Sequence, residues 1–549
     1  MVQGVQVNAC RNPRCANFGV LPLARVDRGP NPKVVDNYIA VGSGKNTAGL
    51  RCKLCNETNA IKSNRAVVEE LERITHAPAQ VSSIACRNEK CIHNGLADTS
   101  PPTRYQAFGT TAAGSRRFRC KACAKTFTVP IRSSLRQRLP GKTAIIYRLL
   151  INKSPMRRIC EVAEVTAPVI YQRIGFIHEQ CLRVAAAHDE RLQSLKKTRL
   201  GIAVDRQEHV LNWSSQFDRR VTQMGAVASA ETSSGFVLGL HLDYDPRYDV
   251  HDLEMAAQAC GDPAKRPAFR KYARIFLPFE DGPNEAEDPL PEESRLPSRG
   301  VRIHSPYTIY AHFYRIGQLL PEIEQLHFYL DRDPGLHGGC FAAFGPRVKA
   351  GTVEAFWVRI DKSLSVDQKK RLLAASEAAL TKAQAAHPGM RKFDVAKLLL
   401  LSAIGHPEFL ALPVVKRWVP HPMPNMGEPA KAMCYLSDRG DLDPSTLADY
   451  LLDVRMHALD RFFMQVRRRL SVLERPIFSP SSNTRWHGYA VYNPTVVMRL
   501  LEIFRVTYNF VLVGEDRKTP AMRLGLASRP MTLEDIIAFL PGDQSSVKA

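Results

Sequence analysis

A seven-residue sequence that occurs twice near the start of the chain constrains its fold more than any other feature. "ACRNPRC" covers residues 9–15, "ACRNEKC" covers residues 85–91, and each is followed by an Arg-Cys-Lys-x-Cys sequence. Each copy therefore supplies two closely spaced cysteine pairs, which indicates a duplicated module. The eight cysteines are Cys10, Cys15, Cys52 and Cys55 in the first copy and Cys86, Cys91, Cys120 and Cys123 in the second.

Two cysteine pairs brought together by a hairpin match the ligand set of a closed zinc site, in which four thiolates surround the metal. Two disulfides per module are the alternative. No apolar signal segment precedes the first cysteine in "MVQGVQVNAC", which favours a reducing compartment and hence zinc. We expect zinc-ribbon-like modules at residues 1–80, including a helical connector, and at residues 81–130. The other five cysteines are expected to pack in the core.

The charge of the chain predicts a polyanionic partner. The net charge is +22, and residues 101–200 contain 20 lysines and arginines against five acidic residues. A basic excess can serve solubility alone, but beside two zinc modules it favours double-stranded DNA. The longest apolar stretch, "AKLLLLSAIGHPEFLAL", is interrupted well before the roughly 20 residues that a membrane span needs. We therefore expect a soluble protein without a membrane partner.

Residues 131–198 show helical periodicity with breaks at "NKSP" and "EVTAP". The pattern predicts three helices, the second beginning at a Ser154 cap before Pro155 and the third near Thr166. A short helix, a tight turn and another helix are typical of a helix-turn-helix, whose second helix enters the major groove. A generic helical bundle is the alternative. The candidate DNA contacts on the third helix are Tyr171, Gln172 and Arg173.

From residue 199 the periodicity becomes that of strands. "RLGIAVDRQEHVLNW" is followed by two further strand patterns separated by a Thr-Ser-Ser-Gly turn, which predicts the opening of an RNase H-like mixed sheet. The fold class is thus multidomain, α+β and α/β: tandem zinc modules, a helix-turn-helix, and a catalytic domain with helical insertions. We assign residues 199–530 to the catalytic domain, with insertions at about 246–320 and 365–440, and residues 531–549 to a tail.

Three aspartates are candidates for a two-metal phosphoryl-transfer site, which needs several carboxylates at one point. Asp205 and Asp331 each end an apolar run. Asp460 lies in a stretch predicted to be one long helix or two joined ones, with Arg467 and Arg468 two turns later. The alternatives are that the first two are turn residues and that Asp460 is a solvent-exposed residue of a charged helix.

The end of the chain resembles the DDE-type transposases of bacterial insertion sequences. The resemblance rests on "LDRFFMQVRRRLSVLERPIFSPSS", "WHGYAVYNPTVVMRLLEIFRVTYNF" and "KTPAMRLGLA". It implies that Asp205, Asp331 and Asp460 occupy the three acidic positions and hold Mg²⁺ or Mn²⁺. The third acid of that family is usually Glu, so the alternatives for it are Glu474 and Glu428; Asp333 is the alternative to Asp331.

The expected function is that of a DNA transposase that binds the ends of a mobile element and catalyses metal-dependent strand cleavage and strand transfer. Arg467, Arg468 and Lys518 are the candidate phosphate contacts. The resemblance implies a homo-oligomer on DNA in the bacterial cytoplasm, at the nucleoid. The alternatives are a zinc-dependent DNA-binding regulator derived from an inactive transposase, and a nuclease that cleaves without joining.

Overall fold

A computed structural model gives the architecture of the chain. It describes residues 2–23, 36–43, 47–82, 86, 88, 90–93, 104–112, 116–129, 137–211, 222–277, 299–474, 477–479, 484–486 and 493–539. The start of the predicted helix-turn-helix region, the sequence "HGYAVY" of the transposase-like ending and the last ten residues of the tail lie outside these ranges.

Strands and helices alternate irregularly along the chain. The strands are β1 (Tyr38–Ser43), β2 (Thr47–Cys52), β3 (Thr58–Ala60), β4 (Tyr105–Thr110), β5 (Arg116–Cys120), β6 (Thr126–Val129), β7 (Arg199–Leu211), β8 (Thr222–Glu231), β9 (Val237–Leu242), β10 (Tyr244–Asp249), β11 (Arg299–Arg302), β12 (Gln325–Asp331), β13 (Val353–Arg359), β14 (Trp418–Pro420), β15 (Ala432–Tyr435), β16 (Ile477–Ser479) and β17 (Thr484–Trp486). The helices are α1 (Asn64–Ser82), α2 (Lys142–Leu150), α3 (Met156–Ala163), α4 (Ala167–Gln193), α5 (Val250–Ala259), α6 (Ser305–Leu319), α7 (Pro334–Lys349), α8 (Val366–Ala385), α9 (Lys392–Ile404), α10 (Pro407–Ala411), α11 (Pro444–Leu452), α12 (His457–Arg469), α13 (Pro494–Phe510), α14 (Pro520–Leu524) and α15 (Leu533–Ile537).

The chain folds into two compact units. The first comprises Met1–Ile74, Gln193–Gln465 and Ala490–Thr495, and the second comprises Thr75–Leu192, Val466–Tyr489 and Val496–Ala549. The first cysteine module belongs to the first unit and the second module to the second unit. Residues 496–530 also fall in the second unit, although the sequence pattern groups them with the catalytic domain.

A seven-stranded mixed sheet forms the centre of the first unit. Its spatial order is β14-β15-β13-β12-β7-β8-β9. Strands β7, β12 and β13 are parallel, whereas β8, β9 and β15 are antiparallel to their neighbours. The middle of β12, from Leu326 to Leu330, is buried throughout, as expected for a central strand covered on both faces. The three strands expected after residue 199 are present as β7, β8 and β9.

Helices α6 and α7 pack against this sheet. Helix α7 connects the parallel strands β12 and β13, and such connections need a crossover element of this length. Helix α6 contacts both β8 and β9. The two helices approach closely where α7 has a glycine pair: a Cβ on Gly339 would lie 2.8 Å from the Phe313 ring on α6. This contact holds α7, and with it the end of β12, in place against the sheet.

The two predicted insertions differ from expectation in their secondary structure. Residues 246–320 contain α5, the small β10–β11 sheet and α6. Residues 365–440 were expected to be mostly helical, and α8, α9 and α10 are helical, but β14 and β15 extend the central sheet beyond β13. Strands of three or four residues inside a helical segment are too short to give a readable two-residue period. The stretch near residue 460, for which the sequence predicts one long helix or two joined ones, contains two helices, α11 and α12.

A buried ion network ties α1 to the β10 region within the first unit. The guanidinium of Arg274 is 1% exposed and pairs with Glu70 at 2.9 Å and with Asp245 at 2.8 Å. Glu70 also accepts hydrogen bonds from Thr308 and from Arg73. Removing one partner of such a network leaves an uncompensated buried charge, so each member is strongly constrained.

The second unit contains the helices of the predicted helix-turn-helix region. Helix α3 begins at Met156 after a Pro155 cap, one residue later than expected, and Glu164 in the left-handed conformation ends it. Helix α4 is 27 residues long and is buried along much of its length. The Tyr147 hydroxyl on α2 contacts the Thr507 hydroxyl on α13 at 2.8 Å. In the described part of the chain, no helix is both long and apolar enough to cross a membrane.

Candidate metal centres and carboxylate site

Each cysteine module gathers its four thiols at one point. Cys10, Cys15, Cys52 and Cys55 form one set and Cys86, Cys91, Cys120 and Cys123 the other, with all sulfur atoms of a set within 4.8 Å of one another. In both modules the first cysteine contacts the fourth, at 3.5 and 3.7 Å, and the second contacts the third, at 3.8 and 3.7 Å. These separations are far longer than the ~2.05 Å of a disulfide bond, and all eight cysteines are free. Both sets suit a tetrahedral metal such as zinc.

The same local framework supports both thiol sets. A tyrosine at the start of the first strand of each module, Tyr38 or Tyr105, accepts a hydrogen bond from the backbone of the first cysteine at 3.0 Å. The same hydroxyl donates to a carbonyl two residues after the second cysteine, that of Asn17 or His93. The tyrosine thus fixes the first cysteine pair against the strand that carries the third cysteine.

One thiol in each set is predisposed to ionise. Burial opposes ionisation of Cys52, but hydrogen bonds from the backbone of Cys55 and from the Asn17 amide lower its pKa to about 6. A hydrogen bond from the backbone of Lys125 likewise lowers the pKa of Cys123 to about 6. The thiolate is the form that binds metal, so each module offers one ligand already in that form at neutral pH.

Asp205 lies at the centre of the first unit's sheet. It is the seventh of the 13 residues of β7, not its last, because the strand continues to Leu211. Its side chain is 12% exposed, and Oδ1 accepts a hydrogen bond from the backbone of Arg206 at 2.6 Å. The sequence "DRQEHVL" continues the strand with alternating burial, so the polar residues after Asp205 do not end it.

Asp331 and Asp460 reach the same region from other elements. Asp331 is the last residue of β12 and follows Leu330, which pairs in register with Val204 of β7. Since neighbouring strands lie about 4.8 Å apart, Asp331 is adjacent to Asp205. Asp460 lies in the first turn of α12 and is partly buried.

Lys362, which follows β13, lies between two of these acids. Its ammonium nitrogen is 2.7 Å from Oδ1 of Asp460 and 3.9 Å from Oδ2 of Asp205. Burial alone would lower the pKa of Lys362, but the charges of Asp460, Asp205 and Asp331 raise it. All three aspartates therefore act on one cation. Within the described residues, the sets of three or more potential ligand atoms inside 4.8 Å are the two cysteine sets; the aspartates are spaced more widely.

The acids of this site, Asp205, Asp331 and Asp460, are called the carboxylate cluster below. Burial, followed by the charge of Asp331, raises the pKa of Asp205 to about 7. Burial also raises the pKa of Asp331, although Lys362 acts in the opposite direction. One ammonium therefore does not balance the negative charge of the cluster. Desolvated carboxylates close to one another are typical of sites that accept a further cation or proton.

One oxygen of the cluster fits a cation ligand directly. Oδ2 of Asp460 is buried and makes no hydrogen bond to any described residue, whereas Oδ1 is held by Lys362. A buried carboxylate oxygen without a partner is unfavourable unless a cation approaches it. Hard, negatively charged oxygens are the ligands that Mg²⁺ and Mn²⁺ prefer. Oδ2 of Asp460 is therefore the oxygen of the cluster that a further cation would satisfy.

The alternative acids have other partners. Asp333 caps α7 by accepting from the Gly335 backbone, and its second oxygen pairs with Arg206 at 3.3 Å. Glu428 is buried, pairs with Lys431 at 2.8 Å and accepts from the Met456 backbone at 2.7 Å. Glu474 belongs to the second unit and pairs with Lys153. Lys362, by contrast, pairs with Asp460 and lies beside Asp205, and the charge of Asp331 also raises its pKa.

One candidate DNA contact of the third helix is corrected by the structure. Tyr171 and Gln172 are exposed, but Arg173 is 6% exposed and donates a hydrogen bond to the Arg138 carbonyl at 2.5 Å. Arg173 cannot reach a DNA groove from there. Its place three residues after the buried Ile170 is the helical period that signals an inward position.

The three candidate phosphate contacts lie in the second unit. Arg468 and Lys518 are exposed, and Arg467 is half-buried. Solvent exposure is the property that keeps these side chains candidate phosphate contacts.

The sequence reasoning missed Lys362, and it offered Glu428 as an alternative third acid rather than as a residue that supports α12. Lys362 stands in an ordinary Asp-Lys-Ser turn, and Glu428 lies in a loop between β14 and β15. Only the folded chain brings them to the cluster and to the start of α12. The sequence offers one clue to Lys362. It lies three residues after the end of β13, and β13 neighbours β12, the strand that carries Asp331.

No protein-family model matches this chain, and no curated protein does. The functional argument therefore depends on the geometry of the carboxylate cluster and of the cysteine modules.

Proposed function

We propose that this protein is a DNA transposase that carries out metal-dependent strand cleavage and strand transfer at the carboxylate cluster. The observation that supports this most is geometric: acids separated widely in sequence meet, with the Lys362 ammonium 2.7 Å from Asp460 and 3.9 Å from Asp205, and with Asp331 on the strand beside that of Asp205. The arrangement agrees with the RNase H-like expectation. Asp205 lies on the first of three antiparallel strands, Asp331 on the strand next to it and Asp460 on a helix.

Asp205, Asp331 and Asp460 would hold Mg²⁺ or Mn²⁺. Bound there, the metal would activate the attacking oxygen and stabilise the leaving oxygen of a phosphodiester. The protein's own contribution is to fix the acids rigidly. The Arg206 backbone orients Asp205, and the buried Glu428 holds the backbone of Met456 just before α12. Lys362 neutralises part of the negative charge that would otherwise repel a DNA phosphate.

Double-stranded DNA is the proposed partner, bound by the second cysteine module and the helices of 137–193. The basic excess of residues 101–200 supports a polyanion there. Tyr171 and Gln172 are exposed on α4, where a helix-turn-helix would present them to a groove. Zinc in the cysteine modules would stabilise the fold of these segments and take no part in the chemistry.

The experiment is a strand-transfer assay on DNA taken from both sides of the gene. The full chain with Mg²⁺ should release a 3′-hydroxyl at a defined end and join it to a target plasmid. Asp205→Ala should abolish joining and keep DNA binding, because it removes a ligand from the cluster without touching a basic surface. The exposed Asp367→Asn on α8 is the matched control and should join normally. If Asp205→Ala protein still joins strands, the proposal is wrong.

A second candidate function is a zinc-dependent DNA-binding regulator without catalysis. The observation that favours it is the Lys362 ammonium, which already pairs with Asp460 and lies beside Asp205. In an inactive descendant a lysine would replace the metal permanently. In that case the wild-type chain would bind DNA and show no cleavage with Mg²⁺ or Mn²⁺.

A further inference from the structure

The two cysteine modules share their strand register near the cysteines, so residues there can be compared position by position; beyond Ala107 the register of the second module shifts. In the first, Tyr38 pairs with Cys52 and Ile39 with Arg51. In the second, Tyr105 pairs with Cys120 and Gln106 with Arg119. The third strands also correspond, since Arg51 pairs with Thr58 and Arg119 with Thr126. A difference at matched positions therefore reflects a difference in role, with the metal framework held constant.

One face of each small sheet covers the thiols, and the other is the outer face. In the second module the inner face carries Tyr105, Phe118 and Phe127, which pack with the cysteines. Because strand residues alternate between faces, the neighbouring positions point outward. The outer face of the second module consists of Gln106, Phe108, Arg117, Arg119, Thr126 and Thr128.

The outer faces of the two modules differ in chemistry. The position of Arg117 in the second module corresponds to the buried Gly49 in the first, and the exposed Phe108 lies where the register of the second module shifts. Glu57 in the first module accepts a hydrogen bond from the Arg11 backbone, whereas the residue at the matching position of the second module is the exposed Lys125. Residues 104–129 contain six basic residues and no acidic one, whereas residues 36–60 contain three basic and two acidic residues.

The first module also has contacts that the second module's positions do not reproduce in sequence. Phe18 packs edge-on against Phe341 of α7 with ring centroids 5.8 Å apart. Arg14 pairs with Asp438 at 2.6 Å. These residues attach the first module to the sheet-bearing part of its own unit. The positions of Phe18 and Arg14 are Asn94 and Lys90 in the second copy.

We propose that the outer face of the second module is a binding surface for duplex DNA and that the first module is a structural module without one. This rests on the proposed function, which makes DNA the partner. Arg117 is 5.6 Å from the centre of the exposed Phe108 ring, so its guanidinium is held at the surface. Arg119 is exposed beside it, and the threonine hydroxyls and the Gln106 amide add hydrogen-bond donors. Arg, Thr and Gln are residues that contact DNA phosphates.

The matched pair Arg119 and Arg51 gives a sharp test. Both arginines are exposed, both precede the third cysteine, and both pair with a residue one after the module's tyrosine. Arg119→Ala in the full chain should weaken binding to duplex DNA about tenfold and reduce the slope of log affinity against log salt by about 1. Arg51→Ala should change neither. Arg119→Lys keeps the charge and should retain most of the salt slope.

Zinc content and melting temperature of each variant show whether the module has stayed folded. With both unchanged, equal DNA affinity of the Arg119→Ala and Arg51→Ala proteins overturns the inference, whether both bind well or both bind poorly. Failure of the wild-type chain to bind duplex DNA at all would instead contradict the proposed function. Loss confined to Arg119→Ala, with recovery in Arg119→Lys, supports the surface as assigned.

Discussion

At the scale of single residues, the carboxylate cluster explains why three aspartates and one lysine occupy their positions. Each acid is only partly exposed. Lys362 pairs with Asp460, lies beside Asp205, and has its pKa raised by the charges of all three acids. The sequence predicted the acids because each belongs to an apolar or helical pattern. It missed Lys362, whose neighbours in sequence give no sign of the acids that surround it in the folded chain.

The protonation of Asp205 predicts a pH effect on stability. Its pKa is raised from 3.8 to about 7 in the folded chain, so the folded state holds the proton more tightly than the unfolded state. The stabilisation that this proton provides is fully present below about pH 4 and is lost as the pH rises through about 7. Asp205→Asn removes the effect and should gain on the order of 2 kcal/mol relative to wild type between about pH 5.5 and about pH 8.5.

Urea unfolding without added divalent metal measures this difference, and Asp367→Asn is the control. A constant stability difference between Asp205→Asn and wild type over that pH range would contradict the assignment of a buried, charge-crowded Asp205.

Lys362 predicts a link between the ammonium and metal affinity. Lys362→Met removes the cation that competes for Oδ1 of Asp460, so a divalent metal should bind the variant more tightly and stabilise it more. The rise in melting temperature on adding about 10 mM Mg²⁺ should be about 3 °C larger for the variant than for wild type. Lys370→Met, at an exposed position on α8, is the control. An equal rise in both variants would show that Lys362 does not occupy the metal's place.

At the scale of elements, local pattern was sufficient for some features and insufficient for others. The cysteine modules and strands β7 to β9 follow from spacing and period, because their determinants are close in sequence. The short β14 and β15 and the buried face of α4 at Arg173 depend on partners far along the chain. For α11 and α12 the pattern left one helix or two joined helices open. Asp205 was read as the end of a strand because polar residues follow it. In the folded chain those residues continue β7, with burial that alternates along the strand.

The start of α12 depends on a buried ion pair. Lys431 donates to Glu428 and to the Val454 carbonyl, and Glu428 accepts from the Met456 backbone, so the pair fixes the residues just before the helix that carries Asp460. Glu428→Gln should destabilise the protein by about 3 kcal/mol, since it leaves Lys431 buried without its counter-charge. Chemical unfolding measures this loss. Combining it with Lys431→Met should recover part of the stability, and purely additive losses would contradict a direct pairing.

The cysteine modules predict a defined metal content. Purified full chain should contain two zinc ions, and Cys120→Ser should contain one, because a tetrahedral structural site requires all four thiolates. Cys260→Ser, in α5's C-terminal cap and away from both sets, should retain two. Elemental analysis by mass spectrometry decides this. Two zinc ions in Cys120→Ser would contradict a four-cysteine site in the second module.

At the scale of the whole molecule, the described residues combine two cysteine modules, a cluster of acids on a mixed sheet and a strong basic excess. No one of these specifies a function by itself. A polyanion partner accounts for the charge, and a phosphodiester as the reacting group accounts for acids that converge within a basic protein. Together they favour chemistry on DNA.

The most direct test of the central claim is calorimetric titration of Mn²⁺ into the full chain, with both zinc sites filled. Wild-type protein should show binding that is lost in Asp205→Asn, in Asp331→Asn and in Asp460→Asn, and that persists in Asp367→Asn. Mn²⁺ binding that survives all three substitutions, or that is missing from the wild type, would contradict a metal centre formed by these acids.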